Sequence, residues 1–258
     1  MSKYKIASVS YLNSKPFLYG LKNYPFKSEI KYSVDTPANI SKQLLNGEVD
    51  LALIPVAVLT QMKEYYLLDG FCIGAIGPVQ SVCLFAEQPI EKCHTILLDY
   101  QSRTSVILTK ILTQKHWKIF PHFVSTQEGY EKTIKGETAG LVIGDRALEL
   151  KNKFPFVYDL SAEWKKMTSL PFVFAAWIST NKIPEEISEE LIKAFELGLN
   201  SMNKVIAEEQ KNYSGIDVKD YLTNGIDFIL DAEKIKSMNL FLEYLKEVEM
   251  IWPVELLN

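Results

Sequence analysis

Apolar and polar positions in the first half of the chain predict the same series of elements twice. Near the start, an apolar strand at 6–9 leads into a polar loop at 10–14, and Pro16 suits the first turn of the helix that follows. Near the middle, an apolar strand at 95–98 leads into a polar loop at 99–105 and then a helix. The pattern therefore predicts two similar α/β units.

The spacing downstream of the two loops is also the same. Each loop is followed by a further predicted helix that ends at a glycine. The helix of the first unit ends at Gly47, and the helix of the second unit begins near Ser125 and ends at Gly136. Gly47 lies 34 residues after Asn13, and Gly136 lies 34 residues after Ser102. The match indicates a duplicated layout, although the residues themselves differ.

Ligands of open α/β sheets bind where strands end and helices begin, because free backbone amides and the helix dipole favour anions there. We therefore expect the loops at 10–14 and 99–105 to face each other across a ligand cleft. Two helix caps without a functional role would produce the same layout.

Two segments, 79–86 and 172–179, are rich in β-branched and aromatic residues, and proline flanks both. We interpret them as strands that cross between two lobes. The first lobe is then formed by residues 1–86 and 172–258, including amphipathic helices at 185–212 and 231–248, and the second lobe by residues 87–171. This division predicts a hinged, two-lobed protein.

Composition excludes several classes of protein. The 258 residues carry 28 basic and 32 acidic side chains, a net charge of −4, with no basic cluster for nucleic acid. Glycines and Pro78 interrupt the longest uncharged stretch, so we predict no membrane span. No signal-peptide pattern is visible, and three cysteines form no Cys-x-x-Cys pair, so we expect a cytoplasmic protein with reduced, buried thiols.

Arginine is confined to two positions, Arg103 and Arg146, while every other basic residue is lysine. Both arginines lie in loops of the second unit, and a planar, permanently charged guanidinium suits a carboxylate ligand. The alternative is structural, with either arginine paired to Asp99 or Asp145.

Hydroxyl and amide side chains complete the candidate site. Ser102, Thr104 and Ser105 stand at a helix start, where they either cap the helix or bind a carboxylate together with the free amides. Ser81 follows the Gly-Pro pair of the predicted crossing segment, and Asn13 occupies the position in the first loop that matches Ser102. Either side chain could instead bond only to nearby backbone.

Metal and cofactor motifs are missing from the sequence. The three histidines have no partner at i+4, and there is no phosphate loop, dinucleotide fingerprint or nucleophile elbow. We therefore predict no metal and no cofactor.

Four stretches together resemble the chorismate dehydratase family, which acts in menaquinone biosynthesis by the futalosine pathway. They are VSYLNSKP at 9–16, GPVQSV at 77–82, LDYQSRTS at 98–105 and IGDRA at 143–147. The resemblance covers nearly the whole chain. The related 1,4-dihydroxy-6-naphthoate synthase of that pathway begins with a Ser-Pro-Cys-Pro-Asn-Asp stretch, which this chain lacks.

The resemblance implies a two-lobed fold like the type II periplasmic binding proteins and loss of water from chorismate, a dicarboxylate, without a cofactor. For that reaction we assign Asn13 and Ser81 to the reacting centre. We assign substrate binding to Ser10, Ser102, Arg103, Thr104, Ser105, Gly144 and Asp145. The proton acceptor stays open between Asp145, Asp159 and a substrate carboxylate. A non-catalytic cytoplasmic module that binds a small carboxylate, or the naphthoate synthase, remains the alternative function.

Overall fold

Strands alternate with helices along most of the chain, as the apolar pattern predicts. The structure is a computed structural model that describes residues 3–251. Within that range the strands are β1 (Tyr4–Val9), β2 (Ile30–Asp35), β3 (Leu51–Pro55), β4 (Tyr66–Ala75), β5 (Val82–Ala86), β6 (Thr95–Leu98), β7 (His122–Ser125), β8 (Thr138–Ile143), β9 (Phe156–Asp159), β10 (Phe172–Ser179) and β11 (Asp227–Leu230). The helices are α1 (Lys15–Asn23), α2 (Pro37–Leu45), α3 (Arg103–Lys115), α4 (Asp145–Leu150), α5 (Leu160–Thr168), α6 (Glu185–Asn200), α7 (Met202–Glu209), α8 (Val218–Asp220) and α9 (Ala232–Ile251).

The strands form two mixed sheets with the same central order. The first sheet runs β2-β1-β3-β10-β4-β11, and the second runs β7-β6-β8-β5-β9. In each sheet the second strand in this order, β1 or β6, is parallel to both of its neighbours. The strand two places further along, β10 or β5, is antiparallel to the strand between them. The two predicted α/β units are therefore present, and the loops after β1 and β6 occupy equivalent places.

One strand lies in a different sheet from the one expected. The sequence analysis placed residues up to 86 in the first lobe, but β5 pairs with β8 and β9 in the second sheet. The chain thus leaves the first sheet after β4 and returns to it with β10. A buried apolar strand carries no local mark of the sheet it joins, because that choice depends on its distant partners.

Two predicted helices also differ from the structure. The helix expected between Ser125 and Gly136 is only a short 3-10 turn at Tyr130–Thr133. The Thr126 hydroxyl bonds to the Leu98 carbonyl at 2.6 Å, which holds this segment against the sheet. The helix expected at 185–212 is divided into α6 and α7, because the backbone leaves helical geometry at Ser201.

The position of α1 depends on a close crossing of two helices. A Cβ atom on Gly20 would lie 1.9 Å from the Ala194 carbonyl oxygen, and one on Gly198 would lie 2.0 Å from that of Pro16. Only glycine permits this approach of the α1 and α6 backbones. Below the crossing, Phe17 packs against Trp177 and other core aromatic rings. The loop before α1 is therefore anchored to the core.

Cys72, Cys83 and Cys93 are free and buried, as predicted. Among the helices of residues 3–251, none has the length and apolar character needed to span a membrane.

Candidate functional site

A cavity lies where the loops after β1 and β6 meet. Its apolar part includes side chains from both sheets, while its polar part comes largely from the two loops. The polar lining residues are Tyr11, Asn13, Ser81, Gln101, Ser102, Thr104 and Ser105. The expectation that the two polar loops face each other across a cleft is therefore met.

A second cavity adjoins the first and extends the cleft towards Arg103. The two cavities share Tyr11, Pro37, Pro55 and Gln101 in their walls. The Tyr11 hydroxyl donates to Gln101 Oε1 at 3.2 Å, so this pair joins the two loops across the cleft. Burial and the nearby Asp99 carboxylate raise the pKa of Tyr11 to about 12, which keeps the donor proton in place.

Ser81 and Asn13 lie together in the wall of the first cavity. Ser81 is 2% exposed, and its Oγ accepts a hydrogen bond from the Tyr221 hydroxyl at 2.9 Å. Asn13 is half-buried, and its Oδ1 is buried without a partner in the described part of the chain. Sequence reasoning missed Tyr221, because no local pattern marks a tyrosine whose partner lies 140 residues away.

Four hydrogen bonds hold the short segment before Ser81, two made by its backbone and two by the Gln80 side chain. Gln80 has a left-handed backbone with φ of 67°, which is costly for a residue other than glycine. The Asp159 carboxylate accepts from the backbone N–H groups of Val79 at 3.1 Å and Gln80 at 2.6 Å. The Gln80 side chain bonds to Asp220 at 3.0 Å and Lys151 at 3.1 Å. These contacts determine the position of the Ser81 backbone.

The hydroxyls at the start of α3 are largely used by the protein itself. Ser102 Oγ caps the helix by accepting from the Ser105 N–H at 3.1 Å. Thr104 Oγ1 accepts from the Ala57 N–H at 3.3 Å and donates to the Phe174 carbonyl at 3.2 Å. The free backbone amides of the first turn and the helix dipole remain to attract an anion.

The two arginines have different surroundings. Arg146 pairs with Asp99 at 2.7 Å and also with Glu131. Its guanidinium therefore has a structural role and is not free for a ligand. Arg103 lines the second cavity, and its Nη1 is buried with no hydrogen-bond partner among residues 3–251. Burial lowers the pKa of the Arg103 guanidinium, as expected for a cation without a matching anion.

Three predicted binding residues contribute little to the cavity. Ser10 is exposed and does not line it, and Asp145 does not line it either. The Asp145 carboxylate bonds to Tyr213, and burial raises its pKa. Gly144 does line the cavity, but its N–H donates to the Ser81 carbonyl at 2.7 Å, so it holds the neighbouring loop.

Neither aspartate considered as a proton acceptor reaches the cavity. Besides binding the Val79 and Gln80 amides, Asp159 accepts from the N–H groups of Ser161 and Ala162, both at 3.1 Å, and caps α5. The lining of the first cavity, within the described residues, contains no carboxylate and no histidine. Residues 3–251 also contain no group of three histidine, cysteine, aspartate or glutamate residues placed to hold a metal ion.

Comparison with other sequences gives consistent matches over almost the whole chain. A family model described as menaquinone biosynthesis matches residues 4–247. A chorismate dehydratase from Thermus thermophilus is 29% identical over 231 residues, which cover 82% of this chain and 83% of that protein. A chorismate dehydratase from Campylobacter jejuni is 27% identical over 251 residues, covering 94% and 97%.

Similar solved structures show the fold. A protein from Archaeoglobus fulgidus aligns with a TM-score of 0.71 at 15% identity and covers 96% of this chain and 97% of its own. A Candida albicans protein described as having the periplasmic binding protein fold aligns at 0.61 and 12% identity, covering 99% and 92%. The alkanesulfonate-binding protein from Xanthomonas axonopodis aligns at 0.66 and 12% identity, covering 97% and 94%. The predicted α/β fold of the periplasmic-binding-protein type is confirmed.

Proposed function

This chain belongs to the menaquinone biosynthesis family, and from that membership and its cleft we propose that it removes water from chorismate to form 3-[(1-carboxyvinyl)oxy]benzoate. The family resemblance of its four sequence stretches is thereby confirmed. Two curated relatives that align with most of the chain are chorismate dehydratases. The observation that carries the proposal is a cavity lined by polar groups at the starts of two helices, the arrangement that a small dicarboxylate requires.

The reaction makes modest demands on the protein. A C–H bond and the ring C–O bond break, the hydroxyl leaves with a proton as water, and the ring becomes aromatic. The protein must orient the ring, donate a hydrogen bond to the departing hydroxyl and leave room for a proton acceptor. Ser81 and Asn13 are the polar groups we assign to the reacting centre, because they lie side by side in the cavity wall.

Each carboxylate of the substrate has a separate partner in the cleft. One is assigned to the first turn of α3 beside Ser102, Thr104 and Ser105, where free backbone amides and the helix dipole favour an anion. The other is assigned to Arg103, whose guanidinium has an unused Nη1 beside the adjoining cavity.

We assign the proton acceptor to a carboxylate of the substrate. Asp145 and Asp159 lie outside the lining and are engaged in other hydrogen bonds. A free aspartate beside a dianionic ligand would also be repelled by it. The substrate carboxylate is the remaining candidate of the three.

The two crossings between the sheets, at 76–81 and 169–171, are proposed as the hinge of the two lobes. Ligand should then make the protein more compact, and small-angle scattering at saturating ligand measures this. An unchanged radius of gyration would count against closure.

The buried free thiols support a reducing compartment and hence a cytoplasmic site of action.

Incubation of purified, metal-stripped protein with chorismate tests the function. We expect a product lighter by one water, with the ultraviolet absorbance of a benzoate, and a much lower yield from the Asn13→Ala variant. A parallel incubation with cyclic dehypoxanthine futalosine should leave that compound unchanged. If folded protein binds chorismate in calorimetry but never converts it, the protein is a binding module and the proposal is wrong.

A further inference from the structure

Tyr221 lies behind the cavity wall and contacts both groups that we assign to the reacting centre. It is 2% exposed, and its hydroxyl donates to Ser81 Oγ at 2.9 Å. Asn13 lies close enough to the same hydroxyl for its side chain to lower the pKa of Tyr221, against the larger effect of burial. Because Ser81 and Asn13 line the cavity and Tyr221 does not, the phenol connects the two from the protein side.

The direction of the hydrogen bond between Tyr221 and Ser81 follows from which hydroxyl protons are available. Burial raises the pKa of Tyr221, so the phenol keeps its single proton, which it gives to Ser81. The Ser81 proton is then free, and no described residue accepts it. A lowering effect of Asn13 on the Tyr221 pKa is that of an amide N–H directed at the phenol oxygen, and Asn13 Oδ1 has no partner within residues 3–251. A donor at Ser81 and an acceptor at Asn13 are therefore left for the cavity.

The backbone around Tyr221 holds the phenol in this place. Tyr221 begins a π-helical turn that ends at Gly225, and such turns are frequent at functional sites. A Cβ atom on Gly225 would lie 3.1 Å from the Val79 carbonyl oxygen. Next to the turn, Asp220 binds the Gln80 side chain at 3.0 Å. The C-terminal segment thus contacts the residues before Ser81 at several points.

We propose, on the basis of the proposed function, that Tyr221 is a positioning residue which directs the Ser81 proton and the Asn13 Oδ1 towards the substrate. The phenol touches neither the substrate nor the reacting atoms. It prevents the Ser81 hydroxyl from rotating to donate elsewhere. Cooperative polarisation along the chain of hydrogen bonds also strengthens Ser81 as a donor to the departing hydroxyl.

The variant Tyr221→Phe removes the hydroxyl and keeps the ring. We expect kcat for chorismate to fall on the order of tenfold to a hundredfold, because the reacting groups lose their orientation. KM should change little, since the phenol does not contact substrate. The matched control is Tyr158→Phe, which removes a hydroxyl that accepts from the Ile90 N–H at 2.9 Å in the second sheet, outside the cavity lining. The control should keep wild-type kcat.

A double-variant cycle separates positioning from a general structural role. In a Ser81→Ala background, Tyr221→Phe should cost far less in kcat than it does in the wild type, because Ser81 is the group through which it acts. Equal losses in both backgrounds, or an unchanged kcat in the single variant, would overturn the inference. If the wild type itself leaves chorismate unchanged, the proposed function fails, and the inference that rests on it fails too.

A crystal structure of the wild-type protein with product gives a second test that needs no folded Tyr221 variant. We expect Ser81 Oγ within hydrogen-bonding distance of both the Tyr221 hydroxyl and the ligand. A ligand-bound Ser81 that has lost its contact with Tyr221 would contradict the inference.

Discussion

Replacement of Thr104 by valine tests whether this residue joins the two units or binds substrate. The Thr104 hydroxyl is buried and serves two backbone groups outside its own helix. The Ala57 N–H is one of the unpaired donors at the start of the turn Val56–Gln61. The Phe174 carbonyl lies at an irregularity in the pairing of β10 with β4. Valine has the same shape but leaves both groups without this partner.

The magnitude follows from the two unsatisfied groups. A buried backbone donor or acceptor without a partner costs at least about 1 kcal/mol, so the free energy of unfolding should fall by at least about 2 kcal/mol. For a chain of this size that corresponds to a decrease in Tm of about 4 to 8 °C. KM for chorismate should stay close to the wild-type value, because the hydroxyl already has its partners within the protein.

Thr109→Val provides a matched control at a second buried position of α3. The Thr109 hydroxyl bonds only to the Ser105 carbonyl of its own helix at 2.9 Å, so its loss leaves the helix hydrogen bond in place. Both variants are measured by circular dichroism melting and by urea unfolding. Equal Tm values for the Thr104 and Thr109 variants would refute the proposed structural role of the Thr104 hydroxyl. A raised KM with an unchanged Tm would show that Thr104 binds substrate.

Three further changes test the other assignments. Asn13→Ala and Ser81→Ala should each lower kcat on the order of a hundredfold with little effect on KM, provided melting shows an intact fold, and near-normal kcat in both would remove them from the reacting centre. Arg103→Lys should raise KM about tenfold through loss of one charged hydrogen bond, whereas a structural Arg103 would show a lower Tm and an unchanged KM. Burial by itself lowers the pKa of Lys234, but the hydrogen bond to Asp231 and the charge of Asp227 together raise this pKa above its usual 10.5. A raised lysine pKa stabilises the fold below the pKa of the unfolded chain, and this stability is lost as pH rises through the pKa of the folded protein. The Tm difference between wild type and Lys234→Met should therefore shrink above about pH 10.5. A difference that stays constant with pH would contradict this.

Much of the secondary structure was predictable because its signals are local. Pro16 in the first turn of α1 and Ser102 as the cap of α3 act within one helical turn of their own positions. The helix prediction for residues 125–136 was wrong for a related reason. Its helix-like pattern is short, and tertiary bonds such as that of the Tyr130 hydroxyl to Asp99 at 2.8 Å favour a 3-10 turn instead.

The candidate site was predictable only in part. Equal spacing in the two units identified both loops of the cleft, including Asn13 and Ser102, without any structural information. The assigned binding residues also included Ser10 and Asp145, which follow the right strands but do not line the cavity. Proximity to a strand end is a local property, whereas the direction of a side chain depends on how the following turn packs.

The sequence by itself determined the two α/β units, the loops at the ends of β1 and β6, and the family, because each is encoded in periodicity, caps or short motifs that span a few residues. Only the tertiary structure decided that β5 joins the second sheet, that Thr104 is used by backbone groups 47 and 70 residues away, and that Tyr221 meets Ser81 across 140 residues. A hydrogen bond needs its two atoms at a specific distance and angle. For residues so far apart along the chain, that geometry exists only after both sheets and the C-terminal helices have packed together.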